Sequence, residues 1–197
     1  MTTVRQIERQ WKAKEYQQLF ADLTAPRPEG TLRLGIDTSL AAPAAAIALI
    51  RLDELNQAHV SLYSTMLRTI LAAQEFDGGW GDPVTTALGL RALLCSGGHG
   101  LAVDRALTYL AQLQKTDGLW PNIPIRRMPA DPYVSALILF ELRDYPRFRE
   151  AVRFDDAVRW FVQHETELEP DCRKLWDRVR VRLGRLAPAA RPVLLWS

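Results

Sequence analysis

Paired carboxylates are the first residues in this 197-residue chain that could do chemistry. Asp155 and Asp156 stand together in FDDAV, and Asp53 and Glu54 in RLDELNQ. A buried carboxylic acid kept protonated by its neighbours is a strong general acid, and clustered carboxylates bind Mg²⁺. Asp155 and Asp156, however, fall at the predicted start of a helix, where acidic residues suit the helix dipole. We therefore expect a structural role for them.

A second group combines Asp171 and Cys172, in EPDCRKLW, with the histidines His59, His99 and His164. Asp, Cys and His form zinc sites when the fold brings them to one point. The three histidines are scattered without the spacing of metal ligands, which favours surface or helix-cap positions. The sequence therefore predicts no metal site and no cofactor.

A third group lies in PNIPIRRMPADPY, residues 121–133, and contains Arg126, Arg127 and Tyr133. Guanidinium groups bind diphosphates and carboxylates through paired hydrogen bonds. Because both arginines stand at the entry to a predicted apolar helix, these three residues are the candidate ligand-binding residues. The alternative is that the arginines are solvated loop residues.

The elements that must position these groups are predicted to be helices. Apolar residues recur at helical spacing throughout, and strand signals are nearly absent. Helices are predicted near 3–23, 40–57, 61–74, 83–96, 102–114, 132–144, 150–165 and 171–186, with a long connection at 24–38. The 48% apolar content suffices for one core, so the prediction is a single all-α domain over residues 1–197.

Charge and targeting signals narrow the class of protein. The net charge of +2 gives no general reason to expect a nucleic acid partner. The polar amino terminus lacks the apolar segment of a signal peptide, and no apolar run is long enough to span a bilayer. Cys95 and Cys172 are better suited to free thiols than to a disulfide. We therefore expect a cytoplasmic protein.

An internal repeat organises residues 60–165. Gln74, Gly78 and Trp80 recur forty residues later, and the second set is Gln114, Gly118 and Trp120. Each copy leads to an Asp-Pro pair and an apolar helix, DPVTTALGLRALL and DPYVSALILFEL. Asp before Pro is typical of a helix start, and glycine permits a positive φ at the end of the preceding helix. A decayed third copy is predicted at DDAVRWFV.

Glutamine and tryptophan are not needed to form a turn, so they require another explanation. A tryptophan beyond a helix end can lie across the next hairpin, and a glutamine amide can bond free backbone groups at a neighbouring helix terminus. We expect these residues to clamp successive hairpins together. Their predicted role is structural.

The second copy, RALTYLAQLQKTDGLW, resembles the QW repeat of squalene-hopene cyclases, oxidosqualene cyclases and related α/α-toroid proteins. Every motif position is filled, by Arg105, Ala106, Tyr109, Leu110, Gln114, Gly118 and Trp120. The first copy has Thr65 and Thr69 where the motif has a basic and an aromatic residue. The superfamily also includes protein prenyltransferase β-subunits.

The resemblance implies a barrel of helical hairpins in which 83–96 and 132–144 are inner helices and 61–74 and 102–114 are outer ones. Such a ring has about six hairpins, and this chain has about four. The ring is therefore expected to be incomplete, either open or completed by a second chain. The protonating Asp-X-Asp-Asp motif of the cyclases is absent.

The predicted function follows from this combination of fold and missing acid. We expect a binding or accessory protein that holds an apolar ligand, isoprenoids among the candidates, or a partner segment in a helix-lined concavity. The alternative is an enzyme of isoprenoid metabolism, a small terpene cyclase or prenyltransferase relative with unrecognised catalytic residues. A homodimer is one way to complete the ring. The C-terminal arm, 187–197, is predicted to pack in a helical groove, and contact with an acidic membrane surface is the alternative.

Overall fold

The computed structural model describes residues 38–59, 61–97, 99–125 and 127–186, and these residues form an all-α fold. No strand occurs among them, apart from one isolated bridge between Pro121 and Ala130. The predicted all-α class is confirmed. The predicted helix at 3–23, most of the connection at 24–38, and the arm at 187–197 lie outside the described residues. The helices are α1 Thr38–Glu54, α2 Ser61–Ala72, α3 Pro83–Cys95, α4 Gly100–Leu113, α5 Pro132–Leu142, α6 Pro146–Ala151, α7 Phe154–Gln163 and α8 Pro170–Leu186.

The helices are arranged in two layers. The central layer consists of α1, α3, α5 and α8, each of which contacts the next. The flanking layer consists of α2, α4, α6 and α7, and α4 packs on both α3 and α6. Ion pairs join residues near the carboxyl ends of α1, α3 and α5, so these three helices run parallel. From α1 to α5, parallel central helices alternate with flanking helices along the chain.

Two central helices begin at the Asp-Pro pairs, as the sequence predicts. The carboxylate of Asp82 accepts hydrogen bonds from Val84 N and Thr85 N. Asp131 accepts from Tyr133 N and Val134 N. In both helices proline is the first residue, where its missing N–H costs no hydrogen bond. The cap prediction is confirmed.

Burial differs between the layers because the central helices pack on more than one side. Ten of the thirteen residues of α3 are buried, whereas α2 buries only Met66 and Ile70. An apolar helix such as α3 therefore belongs in the central layer, and an amphipathic one such as α2 in the flanking layer. None of the described helices has the length and apolarity needed to cross a bilayer.

One predicted helix, 150–165, is wrong because the chain forms two helices there. α6 ends at Ala151, Val152 is extended with φ −117° and ψ 166°, and α7 begins at Phe154. Phe148 and Phe154 meet edge to face, with ring centroids 6.3 Å apart, so the break places an aromatic residue from each helix in the core. The helical spacing of apolar residues continues across the break, which conceals it in the sequence.

Candidate functional site

The repeated Gln–Gly–Trp turns join each hairpin to the next through the glutamine amide. Gln74 Nε2 donates to Gly78 O at 3.0 Å within its turn and to Ala102 O at 2.9 Å in the next flanking helix. In the second turn Gln114 Nε2 donates to Gly118 O at 2.7 Å and to Arg153 O at 3.1 Å. The same amide therefore holds both its own turn and the start of the following hairpin.

The tryptophans tie the turn back to the preceding helix. The Trp80 indole N–H donates to Ile70 O, and the Trp120 indole N–H donates to Leu110 O, both at 2.8 Å. Both rings are buried, and Trp120 is fully so. The backbone N–H of each tryptophan donates to a hydroxyl in the next central helix, Thr86 or Ser135. Each tryptophan thus connects one flanking helix to one central helix.

The glycines are required by the close approach of the next hairpin. Gly78 has φ +95° and Gly118 has φ +86°, a region that other residues rarely adopt. A Cβ atom at Gly78 would lie 2.5 Å from Arg105 O, and one at Gly118 would lie 2.4 Å from Ala157 N. Any larger residue would push the following flanking helix away.

Arg105 and Tyr109 explain why the first copy of the repeat lacks a basic and an aromatic residue. Arg105 Nη2 donates to the carbonyls of Glu75 and Phe76, in the Gln–Gly–Trp turn that follows α2. The Tyr109 ring packs on Gly79 of that same turn. Both side chains reach backwards along the chain, and no Gln–Gly–Trp motif precedes the first copy in the sequence. Thr65 and Thr69, at the same two positions of the first copy, therefore have no preceding Gln–Gly–Trp turn to contact.

The third copy keeps the contacts with the preceding turn and lacks the glutamine bond to a following hairpin. Arg153 reaches back to the turn at 114–116, where its guanidinium donates to three backbone carbonyls. Further along, the position of the repeat glutamine is occupied by Glu165, which forms an ion pair with Arg180 at 3.0 Å. A carboxylate cannot donate to a following backbone. The glutamine bonds between hairpins therefore end at this third copy, where the sequence predicts a decayed repeat.

The central layer has a second face, opposite the flanking layer, which we call the distal face. Gly89 of α3 contacts the Trp80 ring, so it points towards the flanking layer. Arg91 is two residues later, about 200° around the helix, and therefore points to the distal face. There it pairs with Glu54 of α1 at 2.7 Å and with Glu141 of α5.

The Glu54, Arg91 and Glu141 side chains form a polar cluster at the carboxyl ends of three parallel helices. Arg91 is about one-fifth exposed and Glu141 about one-eighth exposed, with relative side-chain accessibilities of 19% and 13%. Burial alone would lower the pKa of Arg91, but the Glu141 carboxylate and, less strongly, Glu54 raise it above its usual value. Arg91 therefore stays charged, and the cluster can hold a polar group while remaining partly open to solvent.

Cys95 and Tyr145 lie beside the polar cluster. The Cys95 thiol and Tyr145 hydroxyl are 3.1 Å apart. Burial raises the pKa of both groups. They are therefore neutral at physiological pH, and Cys95 is a poor nucleophile. No sequence signal points to this pair, because the two residues are fifty positions apart.

The remainder of the distal face is mostly apolar. The exception is Arg51, which lies one turn before Glu54 on α1 and pairs with its carboxylate. Positions one or two turns before each member of the polar cluster lie on the same side of its helix. At these positions α3 and α5 carry apolar side chains, and four of them keep relative accessibilities of 6–9%. The distal face thus combines apolar stripes with one polar end. Its buried apolar members are Ile50, Val84, Leu88, Val134 and Leu137.

The predicted ligand-binding residues lie at the other end of α5. Arg126 is outside the described residues, Arg127 is exposed, and Tyr133 is half-buried in the first turn. A hydrogen bond from Asp131 N to Trp120 O, at 2.8 Å, holds the two ends of their loop together. Tyr133 is eight residues before the polar cluster's member in α5, about 12 Å along the helix axis. The structure does not join this group to the polar cluster.

The alternative acid and metal groups remain dispersed. Asp155 and Asp156 are in the first turn of α7, in the flanking layer, where Asp156 pairs with Arg159 at 2.9 Å. Cys172 is buried and unpaired with another cysteine, and His164 stacks on Trp160. Among the described residues, no group of three or more His, Cys, Asp or Glu side chains could hold a metal ion.

Comparison with known proteins finds a relative of one part of the chain. A 69-residue stretch is 38% identical to drimenyl diphosphate synthase from Streptantibioticus cattleyicolor. This stretch covers 32% of the present chain and only 13% of that enzyme. No family model matches the chain, and no solved structure matches it. The chain is thus similar, over one segment, to a terpene synthase.

Proposed function

We propose that the chain is a binding domain of terpene-cyclase-like fold that holds an apolar, isoprenoid-like ligand against the distal face. The apolar stripes of α1, α3 and α5 would contact the hydrocarbon part of the ligand. The polar cluster would contact its polar end. Binding pockets of this kind are lined mainly by apolar side chains and have a few polar groups that fix orientation.

The observation that carries this proposal is the position of Arg91 between Glu54 and Glu141 at the end of otherwise apolar helix faces. A charged side chain on such a helix requires partners, because an unpaired buried charge is costly. Here three helices contribute one member each, so the polar cluster also fixes the spacing of the apolar stripes. That spacing defines the width of the proposed binding surface.

An enzyme of isoprenoid metabolism is the second candidate. The similarity to drimenyl diphosphate synthase favours it, because that relative is a synthase. The absence of an Asp-X-Asp-Asp acid from the sequence favours binding. Under the second candidate, the distal face would hold the substrate, and the acid would come from another part of the assembled protein.

Native mass spectrometry with farnesol as the probe tests the binding proposal. Ile47 lies two turns before Glu54 on the same face of α1, so Ile47→Glu would put a carboxylate against the hydrocarbon of the ligand. This variant should bind farnesol at least about tenfold more weakly than the wild type, since desolvating that charge costs more than about 1.4 kcal/mol. The matched control is Leu67→Glu in the flanking layer, which should bind like the wild type. Both residues are partly exposed, so neither substitution places a charge in the core.

Equal binding by the wild type and the Ile47→Glu variant would contradict the distal-face site. Product analysis separates the two candidates, and it uses the same protein incubated with farnesol and with farnesyl diphosphate. We expect both farnesol and farnesyl diphosphate to remain unconverted. Cyclised products that disappear in the Ile47→Glu variant would establish the enzyme in place of the binding protein.

A further inference from the structure

The charges of this chain are strongly segregated. Residues 170–197 contain seven basic and two acidic side chains, whereas residues 1–169 contain 18 basic and 21 acidic ones. The last 28 residues therefore carry a net charge of +5, and the rest of the chain carries −3. The near-neutral total of +2 conceals this asymmetry. Charge of one sign concentrated in one element indicates an electrostatic surface for an oppositely charged partner.

Helix α8 presents this charge on the side away from the protein. Cys172, Trp176 and Val179 are buried and face the core. The residue two positions after each of these lies about 200° around the helix and faces solvent. Those residues are Lys174, Arg178 and Val181, and all three are exposed. They form a straight exposed stripe, which we call the α8 stripe.

The two cations of the α8 stripe form no short ion pair within the described residues. Arg180 pairs with Glu165 at 3.0 Å, and Arg182 lies 3.6 Å from Asp144. Lys174 makes only a long contact of 3.6 Å with Asp171, with 77% of its side chain exposed. Arg178 has no ion pair within the described ranges. The stripe is therefore a cationic surface without a strong partner of its own.

We propose that the α8 stripe docks on the surface of an anionic lipid bilayer. Charge complementarity supplies the attraction, because basic residues near an anionic leaflet each strengthen binding. Val181 stands within the stripe with 55% of its surface exposed. A nucleic acid backbone would use the cations alone, whereas a bilayer uses both classes of side chain.

Co-sedimentation with vesicles tests this proposal on the full chain. Vesicles of phosphatidylcholine with phosphatidylglycerol should bind the protein, and vesicles of phosphatidylcholine alone should not. The double variant Lys174→Glu/Arg178→Glu should weaken partitioning at least about thirtyfold, from about fivefold for each basic residue lost. Arg68→Glu/Arg159→Glu is the matched control, since it makes the same change in net charge at exposed positions elsewhere. It should bind nearly as well as the wild type.

Three results would overturn the proposal. The first is binding that does not depend on phosphatidylglycerol, and the second is equal loss of binding in both double variants. The third is binding to a labelled oligonucleotide, sensitive to the α8 variant, without binding to vesicles, because the partner would then be a nucleic acid.

Discussion

Gln114 and Arg153 exchange two hydrogen bonds across 39 residues of sequence. Gln114 Nε2 donates to Arg153 O at 3.1 Å, and Gln114 Oε1 accepts from Arg153 N at 2.8 Å. A side-chain amide therefore pairs with a backbone peptide as another peptide would. This pairing gives the N–H of Arg153, the residue immediately before α7, an acceptor that the helix itself does not supply.

Replacing the Gln114 amide by a carboxylate should destabilise the protein. A carboxylate cannot donate, so Gln114→Glu would face the Gly118 and Arg153 carbonyls without a hydrogen atom between them. We expect a loss of about 2–4 kcal/mol in the free energy of unfolding, measured by urea denaturation. Gln112→Glu, at an exposed position of the same helix, should change it by less than about 0.5 kcal/mol. Similar values for both variants would show that the amide contributes little.

Trp120→Ala should lower the free energy of unfolding by about 3–5 kcal/mol, because it removes a fully buried ring and its bond to Leu110 O. Phe76→Ala is the control, since Phe76 is fully exposed in the first turn. The measurement is again urea denaturation. If the Trp120→Ala protein is as stable as the wild type, Trp120 does not hold the hairpins together.

Glycine is required in these turns by its positive φ and by the close approach of the next hairpin, and two alanine substitutions separate these reasons. Gly97→Ala adds a Cβ at φ +69° with no atom within 4 Å, so it should cost only about 1–2 kcal/mol of backbone strain. Gly118→Ala adds the same strain and a clash with Ala157 N. We expect it to cost at least about 2 kcal/mol more, because the clashing atom belongs to the backbone. If thermal denaturation shows the same loss of stability for both variants, the clash between the new Cβ and Ala157 N does not destabilise the protein.

Arg91→Met should leave the Glu54 and Glu141 carboxylates side by side without their common partner. Removing one member of a buried ion pair typically costs about 3–5 kcal/mol, and partial exposure reduces this to about 2–3 kcal/mol here. Arg68→Met, on the exposed side of α2, makes the same change of charge and should be nearly neutral. If chemical denaturation gives the same stability for both variants, solvent screens the polar cluster completely.

Cys172 should give the protein a pH dependence in the alkaline range. Burial raises the pKa of this thiol to about 11, with smaller contributions from Asp131 and Glu169. Above a pH of about 9 the unfolded chain loses this proton while the folded chain keeps it, so stability falls as the pH rises from about 9 to about 11. The loss is on the order of 2–3 kcal/mol. A Cys172→Ala variant should lack this part of the slope, and parallel curves for the two proteins would contradict the assignment.

The sequence predicts the helices that have clear local signals and misses features that depend on long-range packing. Asp82 and Asp131 mark two helix starts because capping is a local interaction. Val152 interrupts a predicted helix because the core places Phe148 and Phe154 on separate elements, and no turn residue announces the break. Helical spacing predicts helices but carries no information about where the chain interrupts them.

The polar cluster is also beyond prediction from the sequence. Glu54, Arg91 and Glu141 are separated by 37 and 50 residues, and nothing in their local sequences indicates that they meet. They come together because the three helices are parallel, which only the packing shows. Arg127, by contrast, is a binding candidate because of its neighbours in sequence, and binding by it remains a prediction.

The hydrogen bonds of both repeat glutamines reach forward along the chain to the next hairpin, and this has a consequence for synthesis. Gln74 gains its second acceptor when Ala102 is in place, 28 residues later, and Gln114 gains its partner when Arg153 is in place. Each hairpin emerging from the ribosome is therefore locked by the hairpin made directly after it. No contact of this series waits for the distant end of the chain. A nascent chain that extends beyond Arg153 already contains every hydrogen-bond acceptor of both glutamine amides, whereas one that ends before Ala102 contains neither acceptor in a following hairpin.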